Sequence, residues 1–454
     1  MAPLHPAPQA TRTRTQRLDA LPFTREHRRL LLGSGGGWAL DALDVGLVSF
    51  VIAQLTATGF ATAGQAGWIA SAGFIGMAVG ASLGGLLADR VGRRQVFAAT
   101  LLLYGLATGA SALAGTVAVL IALRVVVGLG LGAELPVAST LVSEFAPPRI
   151  RGRVVVALES FWALGWTGSA LVGYFVVPTS DEGWRWALAV GALPALYAVA
   201  VRWGLPESVR FLESRGRAAQ AEAVVARFER SAGVEPAPAP DAPVTAPAAA
   251  ADAEPRSRVA DLWSTGLRRR TGALWLVWFT VNFAYYGAFV WLPSLLVAEG
   301  FSLVRSFEYT LWITLAQLPG YAVAAVLVER WGRRSTLATF LAGSAAAAGL
   351  FAAADSGPSL VATGMLLSFF NLGAWGALYA VTPELYPTRL RATGAGWAAG
   401  FGRIASVLAP LSVPLLRGAG GTGLLFAVFA AVFVVAAVGA LALPEQRGRT
   451  LEEA

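Results

Sequence analysis

Two acidic side chains, Asp41 and Asp44, interrupt the apolar segment GWALDALDVGLVSF at residues 37–50. Their spacing of three places both carboxylates on one face of a helix. Burying one ionised Asp at the centre of a lipid bilayer costs at least about 2.5 kcal/mol. Such a pair is expected to bind a proton, hydrogen-bond a solute or balance a buried cation, and each role requires side chains from other segments.

Four more charged residues lie inside apolar segments; they are Arg124, Glu134, Glu159 and Arg403. A rise of about 1.5 Å per helical residue puts Asp41, Glu134 and Arg403 roughly 14–16 Å from the inner surface of a membrane, near its middle. The same count puts Asp44 at roughly 21 Å and Arg124 at roughly 28 Å, a gap that an extended Arg side chain could span. Glu159 falls at roughly 9 Å and is predicted to be a gate residue near the inner mouth.

The pair of Asp44 and Arg124 has two open interpretations. A buried ion pair can be purely structural, since such pairs need not add stability. Alternatively, Asp44 stays ionised beside Arg124 and takes up a proton when the arginine is drawn away, because burial disfavours the charged form. Intramembrane charges are functional by default, so we predict Asp44 to be the proton carrier. Asp41 and Glu134 are predicted to be a second protonatable site or solute ligands, or to balance Arg403 structurally.

The whole chain is too apolar for a water-soluble globule. Of its 454 residues 56% are hydrophobic and 14% are charged, and the mean hydropathy is +0.60. Zero cysteines exclude disulfides, thiolate nucleophiles and Cys-based metal sites, and the two histidines, His5 and His27, both lie in the N-terminal tail. The sequence shows no nucleophile–base set and no phosphate-binding loop. We therefore predict neither an enzyme nor a bound cofactor or metal.

Twelve apolar windows reach the length of about 20 residues that spans a bilayer. They are 30–55, 65–88, 95–113, 116–143, 153–176, 184–203, 271–297, 306–328, 335–353, 358–381, 392–416 and 422–443. All 35 basic residues are arginine, and with the N-terminus inside, all but five lie in the tails or the inward-facing loops. The exceptions are Arg124 and Arg403 within spans and Arg185, Arg305 and Arg417 outside. This asymmetry predicts two cytoplasmic termini, and it explains the pI of 10.4 without nucleic acid.

The chain contains an internal repeat. Residues 85–94, GLLADRVGRR, correspond to 325–334, AVLVERWGRR, and residues 144–152, EFAPPRIRG, correspond to 384–392, ELYPTRLRA, both with an offset of 240. One offset for both motifs predicts two six-helix halves related by a pseudo-twofold axis. Solute is then expected to bind between the halves near the midplane of the membrane.

The predicted organisation has five parts: a tail (1–29), a first bundle (30–203), a linker (204–270), a second bundle (271–443) and a tail (444–454). The linker is predicted to begin with an amphipathic helix. A disordered tether is predicted at 234–255, where six prolines stand among Ala, Asp and Glu.

The pattern GxxxDRxGRR at 85–94 resembles the motif between helices 2 and 3 of the major facilitator superfamily. RVVVGLGLG resembles the Arg-Gly motif of helix 4, and PESVRFL with PEQRGRTLEE resembles endings found in sugar porters. A narrower resemblance, to the bacterial niacin (nicotinate) transporters, rests on GAELPVASTLVSEFAPP, ESFWALGW, FAYYGAFVWLPSLL, AQLPGY and FFNLGAWGALYAVTPELYPTRLRATGAGWAAGFGRI. The wider relatives of that group are the organic-ion transporters and the synaptic vesicle glycoproteins. Leu40 departs from it, because an aromatic residue is expected there.

This resemblance implies an all-α membrane protein with twelve transmembrane helices in two pseudo-symmetric six-helix bundles. Proton-coupled members carry an Asp in helix 1 and an Arg in helix 4, at the places of Asp44 and Arg124. Members also lock an inner gate with salt-bridge networks at the cytoplasmic helix ends. The matching residues here are Asp89, Arg90, Arg93, Arg94, Glu144 and Arg151, with Glu329, Arg330, Arg333, Arg334, Glu384 and Arg391 in the second half. A topology signal alone would not require acids at the same offset in both halves.

Arg403 is the cation best placed for an anionic solute. Its planar fork matches a carboxylate bidentately, and organic-anion transporters similarly place an Arg in helix 11. The alternative is a counter-ion for Asp41 or Glu134. A flat aromatic acid also needs a slot between rings, with Gln317 and Asn371 available for a pyridine nitrogen. The predicted pocket is Arg403, Trp162, Trp166, Tyr285, Tyr286, Gln317, Phe370, Asn371 and Trp375.

We therefore expect a proton-coupled transporter that imports a small aromatic carboxylate, with nicotinate the best candidate, by alternating access. It is expected to act as a monomer in the inner membrane, with protons, its solute and lipids as its partners and no nucleic acid. Other organic ions, sugars or aromatic acids, proton-driven export, and a transporter-like sensor that binds without accumulating solute remain alternatives.

Overall fold

The computed structural model describes residues 13–236 and 259–445, and the regular elements within these ranges are all helical. The α-helices are α1 (Arg14–Asp19), α2 (Arg25–Ala57), α3 (Ala63–Val91), α4 (Arg93–Ser111), α5 (Val117–Phe145), α6 (Arg151–Phe175), α7 (Gly183–Val190), α8 (Leu193–Gly204), α9 (Val209–Ser214), α10 (Ala218–Ser231), α11 (Arg268–Ala298), α12 (Leu303–Leu315), α13 (Gln317–Trp331), α14 (Arg333–Ala352), α15 (Gly357–Val381) and α16 (Thr388–Leu441). Short 3₁₀ helices lie at Val177–Thr179, Val259–Trp263 and Thr382–Leu385.

Within the described ranges, ten helical stretches are long and apolar enough to cross a membrane. The last of them lies in α16, whose 54 residues would measure roughly 80 Å as one straight helix, against a hydrocarbon core of about 30 Å. The backbone leaves helical geometry at Gly420 and Gly421, and a φ of +70° at Gly421 favours glycine. α16 therefore holds two spans. With α4, the shortest span, this confirms the predicted all-α fold of twelve transmembrane helices.

Two of the predicted spans are discontinuous. The sixth is formed by α7 and α8, and the eighth by α12 and α13, which are separated at Ala316. Gln317, a predicted solute ligand, is therefore the first residue of α13. Discontinuous helices in the middle of a membrane often supply solute contacts, because the break frees backbone and side-chain polar groups.

Small residues bring α3 and α5 into backbone contact. A Cβ atom at Gly76 would lie 2.2 Å from the carbonyl oxygen of Val125, and one at Gly80 would lie 2.2 Å from that of Leu129. From the other side, a Cβ at Gly132 would lie 2.0 Å from the carbonyl oxygen of Met77. Small residues four apart allow this close approach, and it fixes the depth and rotation of α5. α5 carries two of the intramembrane charges.

The two halves repeat one local structure where their second and third spans meet. Gly92 and Gly332 both have positive φ values, +114° and +96°. A Cβ at Gly92 would lie 2.5 Å from Glu207, and one at Gly332 would lie 2.8 Å from Glu445. Each Glu follows the last span of its half and accepts a backbone N–H just beyond the glycine, at 3.2 Å in both cases. The motif repeat thus has a structural counterpart.

The start of the chain docks on the linker. Arg17 of α1 makes two hydrogen bonds to Glu229 of α10, at 2.8 and 2.7 Å, and the side chain of Arg17 is only 5% exposed. The hydrogen bonds that Arg17 donates to Glu229 raise the pKa of Arg17. Phe228 of α10 stacks on Phe145 of α5. The predicted amphipathic helix therefore forms as α9 and α10, while most of the predicted tether and the outer parts of both tails lie outside the described residues.

The side of the bundle that carries α1, α9 and α10 is called the tail side below, and the opposite side the far side. The two halves meet through α2 with α11, α3 with the first span of α16, and α6 with α12. The hydroxyl of Ser71 donates to the carbonyl oxygen of Val407 at 2.8 Å. Nearer the far side, Phe50 and Phe307 meet edge to face at 5.1 Å. Both of these contacts between the halves lie towards the far side.

Candidate solute-binding and proton sites

The predicted pair of Asp44 and Arg124 is present as a buried ion pair. One carboxylate oxygen of Asp44 accepts from Nη2 of Arg124, and the other accepts from the hydroxyl of Thr108 at 2.6 Å. The side chain of Asp44 is fully buried, and that of Arg124 is 4% exposed. Thr108, on α4, was not identified from the sequence, because a lone Thr in an apolar span gives no signal.

Arg124 keeps unused hydrogen-bonding capacity. Its Nε and Nη1 atoms are buried and have no partner in the structure. A cavity of about 20 Å³ lies beside it, lined by Val45, Phe74 and Met77 among others. A space of this size holds about one water molecule. The arginine is thus held to Asp44 by one nitrogen only, an arrangement from which it can be drawn away.

Asp41 and Glu134 lie together, on α2 and α5, with Tyr104 of α4. The side chains of all three are buried, at 1%, 0% and 0% exposure. They lie within electrostatic range of one another, but none of their polar side-chain atoms meets the geometry of a hydrogen bond in the structure. The two acids that we expected near Arg403 therefore form a cluster of their own.

Arg403 lies instead beside the hydroxyl of Tyr286 and within electrostatic range of Glu159. Its Nη1 atom is buried and has no hydrogen-bond partner in the structure. Glu159 is 6% exposed and lies close to Trp38 and Arg403, so it faces side chains between the two halves rather than an inner mouth. The count of helical rise predicted a depth for Glu159 but not the side chains that it faces. Glu159 is the acid that opposes Arg403.

Aromatic side chains from both halves meet at the same level. The indole Nε1 of Trp162 donates to the hydroxyl of Tyr285 at 3.4 Å, and the rings of Trp166 and Tyr285 meet edge to face at 5.8 Å. On the second half, Trp375 lies 5.7 Å from Tyr285 and 6.5 Å from Tyr286, between ring centroids. These five residues, all predicted for the pocket, form one cluster between the halves.

Four more aromatic residues belong to this cluster. Trp38 packs on Trp162 at 5.0 Å, and Trp278 and Tyr379 pack on each other and around Trp375. Tyr321 is partly buried and lies within electrostatic range of Glu159. The predicted pocket did not include Trp38, Trp278 or Tyr321. Tyr321 stands in AQLPGY and Tyr379 near Trp375, so the motif text contained the signal for both.

Gln317 and Asn371 are fully buried side chains with no hydrogen-bond partner in the structure for any of their four polar atoms. Gln317 lies within range of the hydroxyl of Tyr285. A buried amide group left unpaired costs about 1–3 kcal/mol. Gln317 lies beside the aromatic cluster and Asn371 lies one turn before Trp375 on α15, so both amides are suited to hydrogen-bonding a polar solute.

The structure corrects the placement of Phe370. Its ring packs against Phe340 of α14, 5.8 Å between centroids, and fills the space at Gly343, where a Cβ would lie 2.4 Å from it. One residue along a helix turns the side chain by about 100°, so Phe370 faces α14 while Asn371 has a different direction. Phe370 is a packing residue of the second bundle.

Some of the predicted gate residues form ion pairs in each half, on the tail side. Arg93 contacts Asp89 at 2.9 Å and Glu144 at 3.7 Å. Arg333 contacts Glu384 at 3.0 Å. These pairs are internal to their own halves in this conformation. Glu144 also accepts a hydrogen bond from Ser208, which ties the network to the linker.

The remaining gate residues are spread around these networks. Arg94 donates to the carbonyl oxygen of Leu205 at 3.4 Å, Arg151 contacts Asp19 at 2.9 Å, and Arg391 donates to the carbonyl oxygen of Pro383 at 3.0 Å. Arg90, Glu329 and Arg330 are exposed. The Nε atom of Arg334 is buried without a partner in the structure.

Comparisons with known proteins agree over nearly the whole chain. A family model described as "Sugar (and other) transporter" matches residues 36–454. The niacin transporter NiaP of Acinetobacter baylyi is 49% identical over 96% of this chain and 98% of its own length. The synaptic vesicle 2-related protein of Xenopus laevis is 31% identical over 96% of this chain and 81% of its own. The chain also superposes on a partially occluded inward-open structure of the xylose transporter XylE from Escherichia coli, with a TM-score of 0.73. The match covers 94% of this chain and 99% of the XylE chain. At 20% sequence identity, it shows that the two proteins share a fold.

Proposed function

We propose that this chain, which belongs to the sugar (and other) transporter family of the major facilitator superfamily, imports nicotinate together with protons. Family membership makes it a multi-pass membrane transporter and not an enzyme, and it confirms the resemblance that the motifs indicated. The name of the Acinetobacter baylyi relative supports the solute. The side chains at the midplane support it on chemical grounds.

The observation that carries the proposal is an arginine with a buried, unpaired Nη1 beside an aromatic cluster, together with the buried, unpaired amides of Gln317 and Asn371. Nicotinate is a flat ring with one carboxylate and one ring nitrogen. Arg403 has a free Nη1 for the carboxylate. The rings of Trp162, Tyr285 and Trp375 offer faces and edges for the heterocycle. An NH₂ group of Gln317 or Asn371 can donate to the ring nitrogen, and this would relieve its unpaired state.

Proton coupling is assigned to Asp44 and Arg124. While they are paired, Asp44 is ionised and its two oxygens are held by Arg124 and Thr108. If the solute-induced movement of the helices draws Arg124 away, Asp44 keeps only a neutral hydroxyl partner in a buried place, and binding a proton becomes favourable. Proton binding and solute binding are then linked through the position of one arginine.

Alternating access follows from the way the halves meet. We assign the tail side to the cytoplasm, because arginines concentrate there. The described inter-half contacts at Ser71 and Phe50 lie towards the far side, and the gate networks of Arg93 and Arg333 are internal to each half. This arrangement is the one expected when the site faces inward in an inner-membrane carrier.

Uptake of radiolabelled nicotinate into proteoliposomes with an imposed pH gradient tests the proposal. Accumulation driven by acid outside, abolished by an uncoupler, is expected for wild type. The matched variant Asp44→Asn should lose accumulation but keep part of the exchange between internal and external nicotinate, which requires no net proton movement. Binding without any uptake would support a sensor and refute transport. Accumulation of a sugar or another organic ion but not of nicotinate would refute the solute.

A further inference from the structure

The cluster of Asp41, Glu134 and Tyr104 has no part in the mechanism above. Its geometry is set by small residues. A Cβ at Gly37, one turn before Asp41 on α2, would lie 2.8 Å from Oε1 of Glu134. A Cβ at Gly130, one turn before Glu134 on α5, would lie 2.8 Å from the Cβ of Tyr104. Glycines at both places leave room for side chains from α2, α4 and α5 to meet inside the first bundle.

The helices packed around this cluster contribute the following charged or titratable groups. α2 supplies Asp44, within electrostatic range of Asp41. On α5, Arg124 is bound to that Asp44. From α8, Tyr197 lies within electrostatic range of Glu134, and its hydroxyl donates to the carbonyl oxygen of Gly33 at 2.7 Å. Among the described residues, no arginine forms an ion pair with Asp41 or Glu134, and all four of their carboxylate oxygens are buried without a hydrogen-bond partner.

Two carboxyl groups in one buried space without a cation cannot both be ionised, since like charges at this range repel strongly in a low dielectric. One shared proton removes most of that cost. A pair of this kind accepts and releases a second proton readily, because its members titrate as a unit.

The pair also lies on a polar line that leads to the tail side. One face of α2 carries Asp44, Asp41, Gly37 and Ser34, at steps of three or four residues. The carboxyl group of Glu134 lies against Gly37. Ten residues of helix from Asp44 to Ser34 cover roughly 15 Å. The hydroxyl of Ser34 is buried and has no partner in the structure. This line runs inside the first bundle, whereas Arg403 and the aromatic cluster lie between the bundles.

We propose that Asp41 and Glu134 share one proton and relay protons between Asp44 and the tail side. Protonated Asp44 transfers its proton to the ionised member of the pair, so that both carboxyls become neutral and Asp44 is free to pair with Arg124. One of the two then releases a proton to water that reaches the line from the tail side, past Ser34. The pair returns to one shared proton, and one proton has moved from Asp44 to the tail side. This relay rests on the proposed proton coupling at Asp44.

The test compares Glu134→Gln and Asp41→Asn with Asp44→Asn in proteoliposomes. Accumulation driven by a pH gradient should slow by about 100-fold in either relay variant, the usual contribution of a positioned proton donor or acceptor. Nicotinate–nicotinate exchange and nicotinate affinity, read from tryptophan fluorescence, should stay within about twofold, because the line avoids the solute cluster. Retained affinity also shows that the variant is folded. Asp41→Glu, which keeps the acid, should recover most of the accumulation rate.

The outcomes separate the relay from the function on which it rests. If Asp44→Asn abolishes accumulation while Glu134→Gln and Asp41→Asn leave it unchanged, the relay is refuted and the coupling at Asp44 stands. If all three variants accumulate nicotinate like wild type, the proton coupling itself is refuted. Accumulation that requires Na⁺ without a pH gradient, and that is lost in Glu134→Gln, would make the pair a cation site and refute the relay. An infrared band of a protonated carboxyl at neutral pH, present in wild type and lost in Glu134→Gln, is expected.

Discussion

Replacing Arg403 by alanine should separate the recognition of nicotinate from that of its neutral analogue, nicotinamide. Arg403 has an unpaired buried Nη1, lies beside the hydroxyl of Tyr286, and is opposed by Glu159. Arg403→Ala leaves the aromatic cluster and both buried amides in place. Nicotinate would then enter a site that has no cation for its carboxylate. Nicotinamide carries no charge that the variant would leave unpaired.

The magnitude follows from the burial of the site. Losing one partner of a buried, charged hydrogen-bond pair costs roughly 2–5 kcal/mol, and this corresponds to a Kd for nicotinate that is roughly 30-fold to several thousand-fold higher. For nicotinamide only a neutral hydrogen bond is at stake, and its Kd should change by at most about tenfold.

Binding of both ligands can be followed by the fluorescence of the tryptophans in the cluster. Glu159→Gln is the matched control: it removes the competing acid, so nicotinate affinity should rise or stay constant while nicotinamide affinity does not change. Arg403→Lys keeps the charge without the bidentate fork and should lie between wild type and Arg403→Ala. Equal losses for the two ligands in Arg403→Ala would mean that Arg403 serves structure. Weaker nicotinate binding in Glu159→Gln would show that Glu159 is not its competitor.

Three further predictions concern packing, the docked tail and the gate. Gly80→Ala should lower the free energy of unfolding by about 1–3 kcal/mol, because the new methyl group would lie 2.2 Å from a backbone carbonyl oxygen of α5. Gly85→Ala, with open space at that position, should have no such effect. Arg17→Ala leaves the buried Glu229 unpaired, and limited proteolysis should show faster cleavage at α1 and α10, while equal cleavage rates would contradict a docked tail. Glu384→Gln removes the partner of a gate arginine and should increase labelling from the cytoplasmic side, since it weakens the outward-facing state; unchanged labelling would contradict the gate.

The ion pair of Asp44 and Arg124 shows how far local sequence reasoning reaches. Depth along a helix is a count of residues multiplied by a fixed rise, so the sequence predicted that these two charges lie at levels an extended Arg could join, and the structure pairs them. The repeat at an offset of 240 was equally local, and it recurs as the paired contacts of Gly92 with Glu207 and Gly332 with Glu445.

The partners of Arg403 show where that reasoning stopped. Asp41, Glu134 and Arg403 stand at nearly the same predicted depth, yet Glu134 turns into the first bundle against Gly37, and Glu159 lies near Arg403. Depth gives no information on the rotation of each helix about its axis or on which helices are neighbours.

The rotation of each helix and the identity of its neighbours depend on packing between segments that are distant in sequence. The sequence by itself determined the membrane class, the twelve spans, the two halves and the levels of the buried charges, because apolar length and helical rise are properties of one segment at a time. Only the tertiary structure decided that Phe370 faces α14, that Thr108 holds Asp44, and that the two acids form a separate cluster. The physical reason is that close glycine contacts such as those of Gly76 and Gly80 set the rotation of each helix against its neighbour, and both surfaces are needed to specify them.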